Sequence, residues 1–374
     1  MIMKRYGSLL CAIVISLNAL AWKPVLVGHR GCNIGVENTI EAFTNGVDIY
    51  HYDGLECDVR VTADGKYVIS HDEFTTRLGG TLMVADATLE ELRAEKYVQQ
   101  RGDSVYTGHI CTVEEFLDLC IEKDVFPILE LKWSNGINNN DMSKFDGLAM
   151  LVKRKRLTER VIFLTSMRAS HEYIRNRYPE FQSQWLCNAN WEKHWAWCQL
   201  WHIMPSISRG NFDQKTVEMF NAMGLPVACW TVDKVEDCVN ACKMGAYMVT
   251  TNKLVRDSLP EMPEPQLCTF TCLVPVDLTK KAPDETINLT MGQELFVDAV
   301  KHGSVGIGYY LDCDTTFFHV SYDISELPRN VMPGGDKQRM RYTLRPRHAG
   351  TTVVTEIKLF RGDEDRVPHT VIIK

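Results

Sequence analysis

The sequence predicts an α/β protein, a TIM-like (β/α)8 barrel followed by a smaller all-β sandwich. Three observations carry this expectation. From residue 22 to about 260, short apolar strand candidates alternate with amphipathic helices. Three prolines then fall within Leu-Pro-Glu-Met-Pro-Glu-Pro, Leu259 to Pro265, which reads as an extended linker. Beyond Lys280 no convincing helix pattern remains, and apolar residues recur with period two.

In chain order, residues 1–21 read as a signal peptide. Lys4 and Arg5 open it, an apolar run from Leu9 to Leu17 is broken only by Ser16, and Ala19 and Ala21 supply small residues for cleavage. The run is short for a membrane span, so an uncleaved anchor is the lesser reading. Export to the periplasm or the extracellular space is expected.

The barrel is assigned to residues 22–260. Its strand candidates are Val25–Gly28, Gly54–Val59, Tyr67–Ser70, Pro127–Leu131, Val161–Thr165, Gln184–Cys187, Ile203–Ser206, Val227–Thr231 and Tyr247–Thr250. Eight are needed, so one of the nine is a hairpin arm or an irregular segment. Helix patterns cover Thr112–Lys123, Ser170–Tyr178, Asp213–Met223 and Val235–Met244. Thr112 with Glu115 forms a capping box, and Gly224 and Gly245 stand where helices stop. Residues 261–267 are the linker. Residues 268–374 form the sandwich, with Glu294–Val300 and Thr351–Phe360 as alternating strands.

Composition agrees with a large apolar core. The chain has 374 residues, 45% hydrophobic and 24% charged, which excludes a disordered chain, a collagen-like repeat and a multi-span membrane protein. The net charge of −7 argues against a nucleic-acid partner. Thirteen cysteines show no zinc spacing. Cys187 with Cys198, or Cys268 with Cys272, could form disulfides in an exported chain, but most cysteines read as small buried apolar residues.

The chemistry gathers where strands end. Gly28-His29-Arg30-Gly31, Glu37-Asn38-Thr39, Glu56-Cys57-Asp58, His71-Asp72 and Glu130-Leu131-Lys132 each lie at or just beyond the carboxyl end of a strand candidate. In a parallel barrel those ends form one rim, where active sites are built. Glu56 and Asp58 are two apart on a strand and share a face. Close carboxylates need a cation, a shared proton or strong hydrogen bonding. With Glu130 they make an all-oxygen set suited to one divalent cation, Mg2+ or Ca2+. Ala63-Asp64-Gly65-Lys66 reads as a tight turn. With Asp64-Gly65 at its centre, Asp58 lies opposite His71. A histidine beside a metal pair suits general acid–base work, and His29 supplies a second one at the rim. Arg30 and Lys132 add positive charge suited to an anionic substrate, or pair with Glu37, Glu56 and Glu130; both can hold at once. No GxSxG elbow, Walker loop or dinucleotide fingerprint competes.

At these residues the chain resembles the glycerophosphodiester phosphodiesterase family. His29-Arg30-Gly31, Glu37-Asn38-Thr39, Glu56-x-Asp58-Val59, Thr62-x-Asp64-Gly65, His71-Asp72, Ile110 to Glu115, Glu130-Leu131-Lys132 and Trp230-Thr231-Val232-Asp233 stand in family order. The resemblance spans about residues 24–258. It implies a TIM-like barrel with one divalent ion on Glu56, Asp58 and Glu130. It implies His29 and His71 as the acid–base pair, phosphate binding by Arg30 and Lys132, support from Glu37 and Asn38, and Trp230 in the substrate cleft. It also implies release of glycerol 3-phosphate and an alcohol from a glycerophosphodiester. The segment between His71 and Thr112 corresponds to the family's insertion over the site. Val36, Cys111 and Thr251-Asn252 depart from the family pattern, and the last leaves a role there open.

Five of the eight tryptophans fall between 185 and 201. They could wall a choline-like headgroup, touch a membrane or partner surface, or pack inside the barrel. Residues 268–374 lie outside the family core. Asn288 to Gln293 and Pro346 to Thr352 resemble strand–turn blocks of immunoglobulin-like domains, including chagasin-like ones, without the inhibitory loop signature. This domain could bind glycan, protein or the barrel. The competing functional readings are a phospholipase acting on intact lipid or inositol phosphodiesters, and a non-catalytic binding protein.

Overall fold

The structure is a computed structural model and describes residues 22–132, 142–188, 194–262, 276–283, 285–302, 306–326 and 337–374. The expected signal peptide, most of the linker, Trp191, Cys268 and Cys272 lie outside these residues. The chain divides into two compact units, Met1–Trp195 with Ile203–Phe270 and Ala196–His202 with Thr271–Lys374.

In chain order the first 251 residues contain β1 (Val25–His29), α1 (Ile40–Asp48), β2 (Gly54–Val61), β3 (Tyr67–Ile69), α2 (Leu89–Ala94), β4 (Tyr97–Arg101), β5 (Ser104–Gly108), α3 (Val113–Glu122), β6 (Phe126–Leu131), α4 (Ser143–Arg154), β7 (Ile162–Thr165), α5 (Arg168–Arg177), β8 (Gln182–Cys187), α6 (Trp195–Trp201), β9 (Met204–Ser208), α7 (Gln214–Ala222), β10 (Val227–Trp230), α8 (Val235–Lys243) and β11 (Ala246–Thr251). Eight parallel strands close a ring in the order β1, β2, β6, β7, β8, β9, β10, β11, with β11 pairing back to β1. This is the TIM-like barrel that the sequence predicts. The surplus strand candidate is β3, antiparallel to β2.

Alternation along the strands fills the barrel. Val25 and Val27, Phe126 and Ile128, and Ile162 and Leu164 join Met204, Ala228 and Met248 in one buried cluster. The same parity continued by two residues gives His29 on β1 and Glu130 on β6, so the faces that are apolar low in the barrel end in polar groups at the rim. Gly54 opens β2 because a Cβ there would stand 2.4 Å from the Phe126 ring. The outer helices follow the same logic with a longer period. In α3, Thr112 Oγ accepts from the Glu115 N–H and Glu115 returns a carboxylate to the Thr112 N–H (2.8 Å). Val113, Phe116, Leu117 and Cys120 then form its buried stripe, and Phe116 packs on Phe43 of α1 with ring centroids 4.6 Å apart.

Two expectations are corrected. The β2–β3 register pairs Val59 with Ile69 and places Ser70, not His71, opposite Asp58, whose carbonyl accepts from the Ser70 N–H. The turn is one residue longer than a two-residue hairpin. Thr62 N–H bonds the Lys66 carbonyl, and Ala63, Asp64 and Gly65 make the loop, with Gly65 taking a left-handed φ of 74°. Cys187 and Cys198 are buried and form no disulfide, so the bridge considered above is not made, and the remaining described cysteines are likewise unbridged.

Trp185, Trp197 and Trp201 are buried. Trp185 lies on a barrel strand, as the packing reading expects, whereas Trp197 and Trp201 belong to the second unit, with the Arg345 guanidinium 3.9 Å from the Trp201 ring. Among the described residues no helix is long and apolar enough to cross a membrane.

Apart from the α6 segment Ala196–His202 and a short 3-10 turn at Leu278–Lys280, the described residues of the second unit form strands and their connections. Its strands are β12 (Val276–Asp277), β13 (Ile287–Leu289), β14 (Leu295–His302), β15 (Ile307–Cys313), β16 (Phe318–Glu326), β17 (Lys337–Pro346), β18 (Gly350–Phe360) and β19 (Asp363–Ile373). β13, β19, β18 and β15 make one layer. β12, β14, β17 and β16 make the other. Among the described residues, the pair His302 with Ile307 links them. Val354, Val371 and Ile373 from the first layer meet Leu295, Val297, Phe318 and Leu344 from the second in one core, as in a sandwich.

Candidate active site

Glu56, Asp58 and Glu130 each bring one carboxylate oxygen into a group whose members all lie within 4.8 Å of one another. β2 and β6 are neighbours, and their register sets Asp58 beside Glu130, which explains how two distant sequence blocks meet. Glu56 and Asp58 are buried. Lys132 Nζ lies 2.8 Å from Asp58 and 2.6 Å from Glu130. Asn38 Nδ2 donates to Asp58 Oδ2 (2.7 Å), and the Arg30 N–H donates to Glu56 Oε2 (2.9 Å). The second oxygen, Glu56 Oε1, is buried with no hydrogen-bond partner.

Burial and the neighbouring Asp58 charge push Glu56 up to about 8 and Glu130 up to about 7. Burial alone would raise Asp58 as well, but Lys132 and Arg30 hold it well below the usual carboxylate range. An all-oxygen cluster with one orphaned buried oxygen fits a hard divalent cation, and Glu56, Asp58 and Glu130 are the residues that could hold it.

The loop after β1 shapes the next part of the site. Gly28 and Gly31 allow it, because a Cβ at residue 28 would stand 2.4 Å from the Gly31 carbonyl oxygen. Arg30 and Asn38 both adopt left-handed backbone, with φ of 53° and 60°. The Arg30 guanidinium reaches Glu37 (3.0 Å) and Asp58 (3.4 Å). Glu37 also accepts from Arg77 (3.0 and 2.5 Å) and from Gln99 Nε2 (2.9 Å), while its own N–H donates to Gln99 Oε1. Burial disfavours the charge on Glu37, but Arg77 and Arg30 hold it at about 2. Arg77 and Gln99 sit in the segment between His71 and Thr112, so that insertion is tied to the first loop through one carboxylate.

Each histidine has its Nδ1 occupied. His29 Nδ1 is 2.9 Å from Asn252 Oδ1, and His71 Nδ1 is 2.7 Å from Asp72 Oδ1. Asp72 is itself paired with Arg77. Arg60, buried on β2, donates to the Ser70 carbonyl (3.0 Å) and the His71 carbonyl (2.7 Å), which holds the backbone that carries His71. Burial lowers the pKa of both histidines, while the Asp58 charge acts on both in the opposite direction. Trp230 ends β10 half-buried, and its Nε1 donates to the Ser206 carbonyl (2.9 Å).

Nine of the ten residues singled out from sequence are linked to one another by contact or charge; the tenth, Trp230, has its indole bonded to Ser206. Glu56, Asp58, Glu130, Arg30, Lys132 and Asn38 are joined by direct contacts. Glu37 is joined through Arg30, and His29 and His71 feel the Asp58 charge. Sequence reasoning missed Arg60, Arg77 and Gln99, which no strand-end pattern marks. It quoted Asp72 and Asp233 without giving them work.

Paired carboxylates ready for a cation, with imidazoles and fixed positive charge around them, belong to the chemistry of phosphate esters. Residues 29–256 match the glycerophosphoryl diester phosphodiesterase family, more than half of the chain, and the protein belongs to that family. It is thus a phosphodiesterase of the glycerophosphodiester class. It is 28% identical over 235 residues to a glycerophosphodiester phosphodiesterase of Caldanaerobacter subterraneus subsp. tengcongensis, a match covering 62% of this chain and 94% of that one. The glycerophosphodiester phosphodiesterase structure from Agrobacterium tumefaciens superposes with a TM-score of 0.53 at 18% identity, over 62% of this chain and 97% of that one. An Oleispira antarctica phosphodiesterase, solved with the product sn-glycerol-3-phosphate, gives 0.50 at 18% identity, over 61% and 93%. Both share the barrel fold.

Proposed function

We propose that this chain cleaves glycerophosphodiesters into glycerol 3-phosphate and an alcohol, using one divalent cation and the histidine pair. Glu56, Asp58 and Glu130 would hold the ion, Mg2+ or Ca2+ by the oxygen donors. When bound, such an ion neutralises phosphate oxygens and so favours the transition state. Arg30 and Lys132 supply further positive charge to the phosphate, and Trp230 borders the substrate.

The observation that carries the reading is the matched state of the two imidazoles. Each has Nδ1 engaged, so each keeps Nε2 for chemistry, and both lie within the field of the carboxylate cluster. They differ in one respect that supports a division of labour. His71 leans on a carboxylate, Asp72, which stabilises its protonated form. His29 leans on a neutral amide. His29 Nε2 accordingly takes the proton from the nucleophile, either the glycerol 2-hydroxyl or water, as the new O–P bond forms. His71 Nε2 gives its proton to the alcohol oxygen as the old P–O bond breaks. Water as nucleophile yields glycerol 3-phosphate directly. The 2-hydroxyl yields the cyclic glycerol phosphodiester, which water then opens at phosphorus as the 2-oxygen regains a proton. The segment 1–21 supports export, with the reaction in the periplasm or outside the cell.

The test is release of glycerol 3-phosphate from glycerophosphocholine and glycerophosphoethanolamine. EDTA is expected to abolish it, and Mg2+ or Ca2+ to restore it. Activity untouched by chelation removes the ion from this scheme. Vesicle phospholipid is the control for the lipase alternative. The burial of Trp185, Trp197 and Trp201 weighs against that alternative, so the expectation is no cleavage.

A further inference from the structure

We propose that Asn252, gripped by Asp233, is a positioning residue that locks the ring orientation and the tautomer of His29. The inference rests on the function proposed above for its consequence, but not for its structural content. Asp233 Oδ2 is 2.7 Å from Asn252 Nδ2, and Asp233 Oδ1 accepts from the Asn252 N–H (2.8 Å) and from Thr251 Oγ (3.0 Å). An ionised carboxylate only accepts, so the amide must turn its NH2 to Asp233 and its carbonyl oxygen away. That oxygen faces His29 Nδ1 at 2.9 Å and can itself only accept. The hydrogen must therefore be on Nδ1, and the neutral ring keeps Nε2 bare. A bare Nε2 is the form a general base needs. A free imidazole samples both tautomers; here a carboxylate two bonds away selects one.

The tertiary placement is equally definite. β1 pairs with β11 in a register that sets Gly28 beside Thr251, so the next residues, His29 and Asn252, emerge together from neighbouring strands. Asp233 comes from the loop after β10, where the Val232 N–H bonds the Thr250 carbonyl.

Three variants and one spectrum test this. Asn252→Leu keeps the size and removes the acceptor; kcat should fall about 10- to 100-fold with KM little changed. Asn252→Asp alone sets two carboxylates against each other and should be impaired to a similar degree. The exchanged pair, Asp233→Asn with Asn252→Asp, again gives the His29 Nδ1–H an acceptor held by its neighbour, so kcat should recover well above Asn252→Asp, with the acidic limb of the pH–rate profile moved to higher pH because His29 now leans on a carboxylate. In the substrate-free, full-length protein at about pH 8.5, where the rings are neutral, imidazole 15N shifts should show His29 protonated on Nδ1 and bare on Nε2. The Leu variant should lose that distinction. A His29 ring protonated on Nε2 in the unaltered protein overturns the inference. So does an unchanged kcat in Asn252→Leu, or an exchanged pair no better than Asn252→Asp despite native unfolding behaviour. If the unaltered chain cleaves no glycerophosphodiester, the proposed function fails, yet the spectrum still decides the tautomer.

Discussion

Glu56→Gln is expected to stabilise the ion-free protein while destroying its function. Glu56 is 2% exposed, its Oε1 has no partner, and burial with the Asp58 charge raises its pKa from 4.5 to about 8. The native state thus holds a proton that the unfolded chain releases above about 4.5. Stability from this group is fully present below that pH and is lost as pH rises through about 8. At about 1.4 kcal/mol per pH step the ceiling is roughly 5 kcal/mol. Glutamine keeps an oxygen for the Arg30 N–H and offers an NH2 to the neighbouring carboxylates, so a gain of about 2–4 kcal/mol at pH 8.5 is expected. At about pH 5 the gain should shrink below about 1 kcal/mol. Six of the eight tryptophans belong to the first unit, and Trp197 and Trp201 to the second, so urea unfolding in EDTA is followed by far-UV circular dichroism of the helices beside tryptophan fluorescence. Saturating Mg2+ or Ca2+ should reverse the order, because binding stabilises only the protein that retains its ligand. A variant no more stable than the original at pH 8.5 without ion refutes the reasoning.

Other outcomes follow from the same geometry. His29→Ala and His71→Ala should each lower turnover about 10²- to 10⁴-fold with unchanged unfolding curves; near-normal turnover in either removes that residue from the acid–base pair. Asp72→Asn removes the anion behind His71 and should lower kcat about tenfold with KM nearly constant, read by initial rates of alcohol release. Thr112→Ala opens the α3 capping box and should cost about 1 kcal/mol in urea unfolding, with no effect on activity beyond that loss.

Much of the site was legible because it lies on regular elements. The period of two along β2 puts Glu56 and Asp58 on one face whatever surrounds them, and Gly28 to Gly31 announces a turn at a strand end. The hairpin after β2 shows where such reading stops. Asp64-Gly65 could centre a two-residue turn, but Thr62 closes a longer loop on Lys66, and the register moved by one. His71 still feels the Asp58 charge, and Arg60 holds its carbonyl, a contact that spacing does not reveal. Arg77 and Gln99 were invisible for a related reason. They act from an insertion whose path is set by packing, and any cation or amide there would look the same in sequence.

The sequence by itself determined the alternation of strands and helices, the change to period two after the prolines, and the set of charged residues carried by strand ends. These are local properties, set by backbone period and side-chain polarity over a few residues. Only the tertiary structure decided which ends touch. Closing the ring brings β11 against β1, and so Asn252 against His29 across more than two hundred residues of chain. Such neighbours are selected by the register of strands far apart in the chain, and no local preference encodes that.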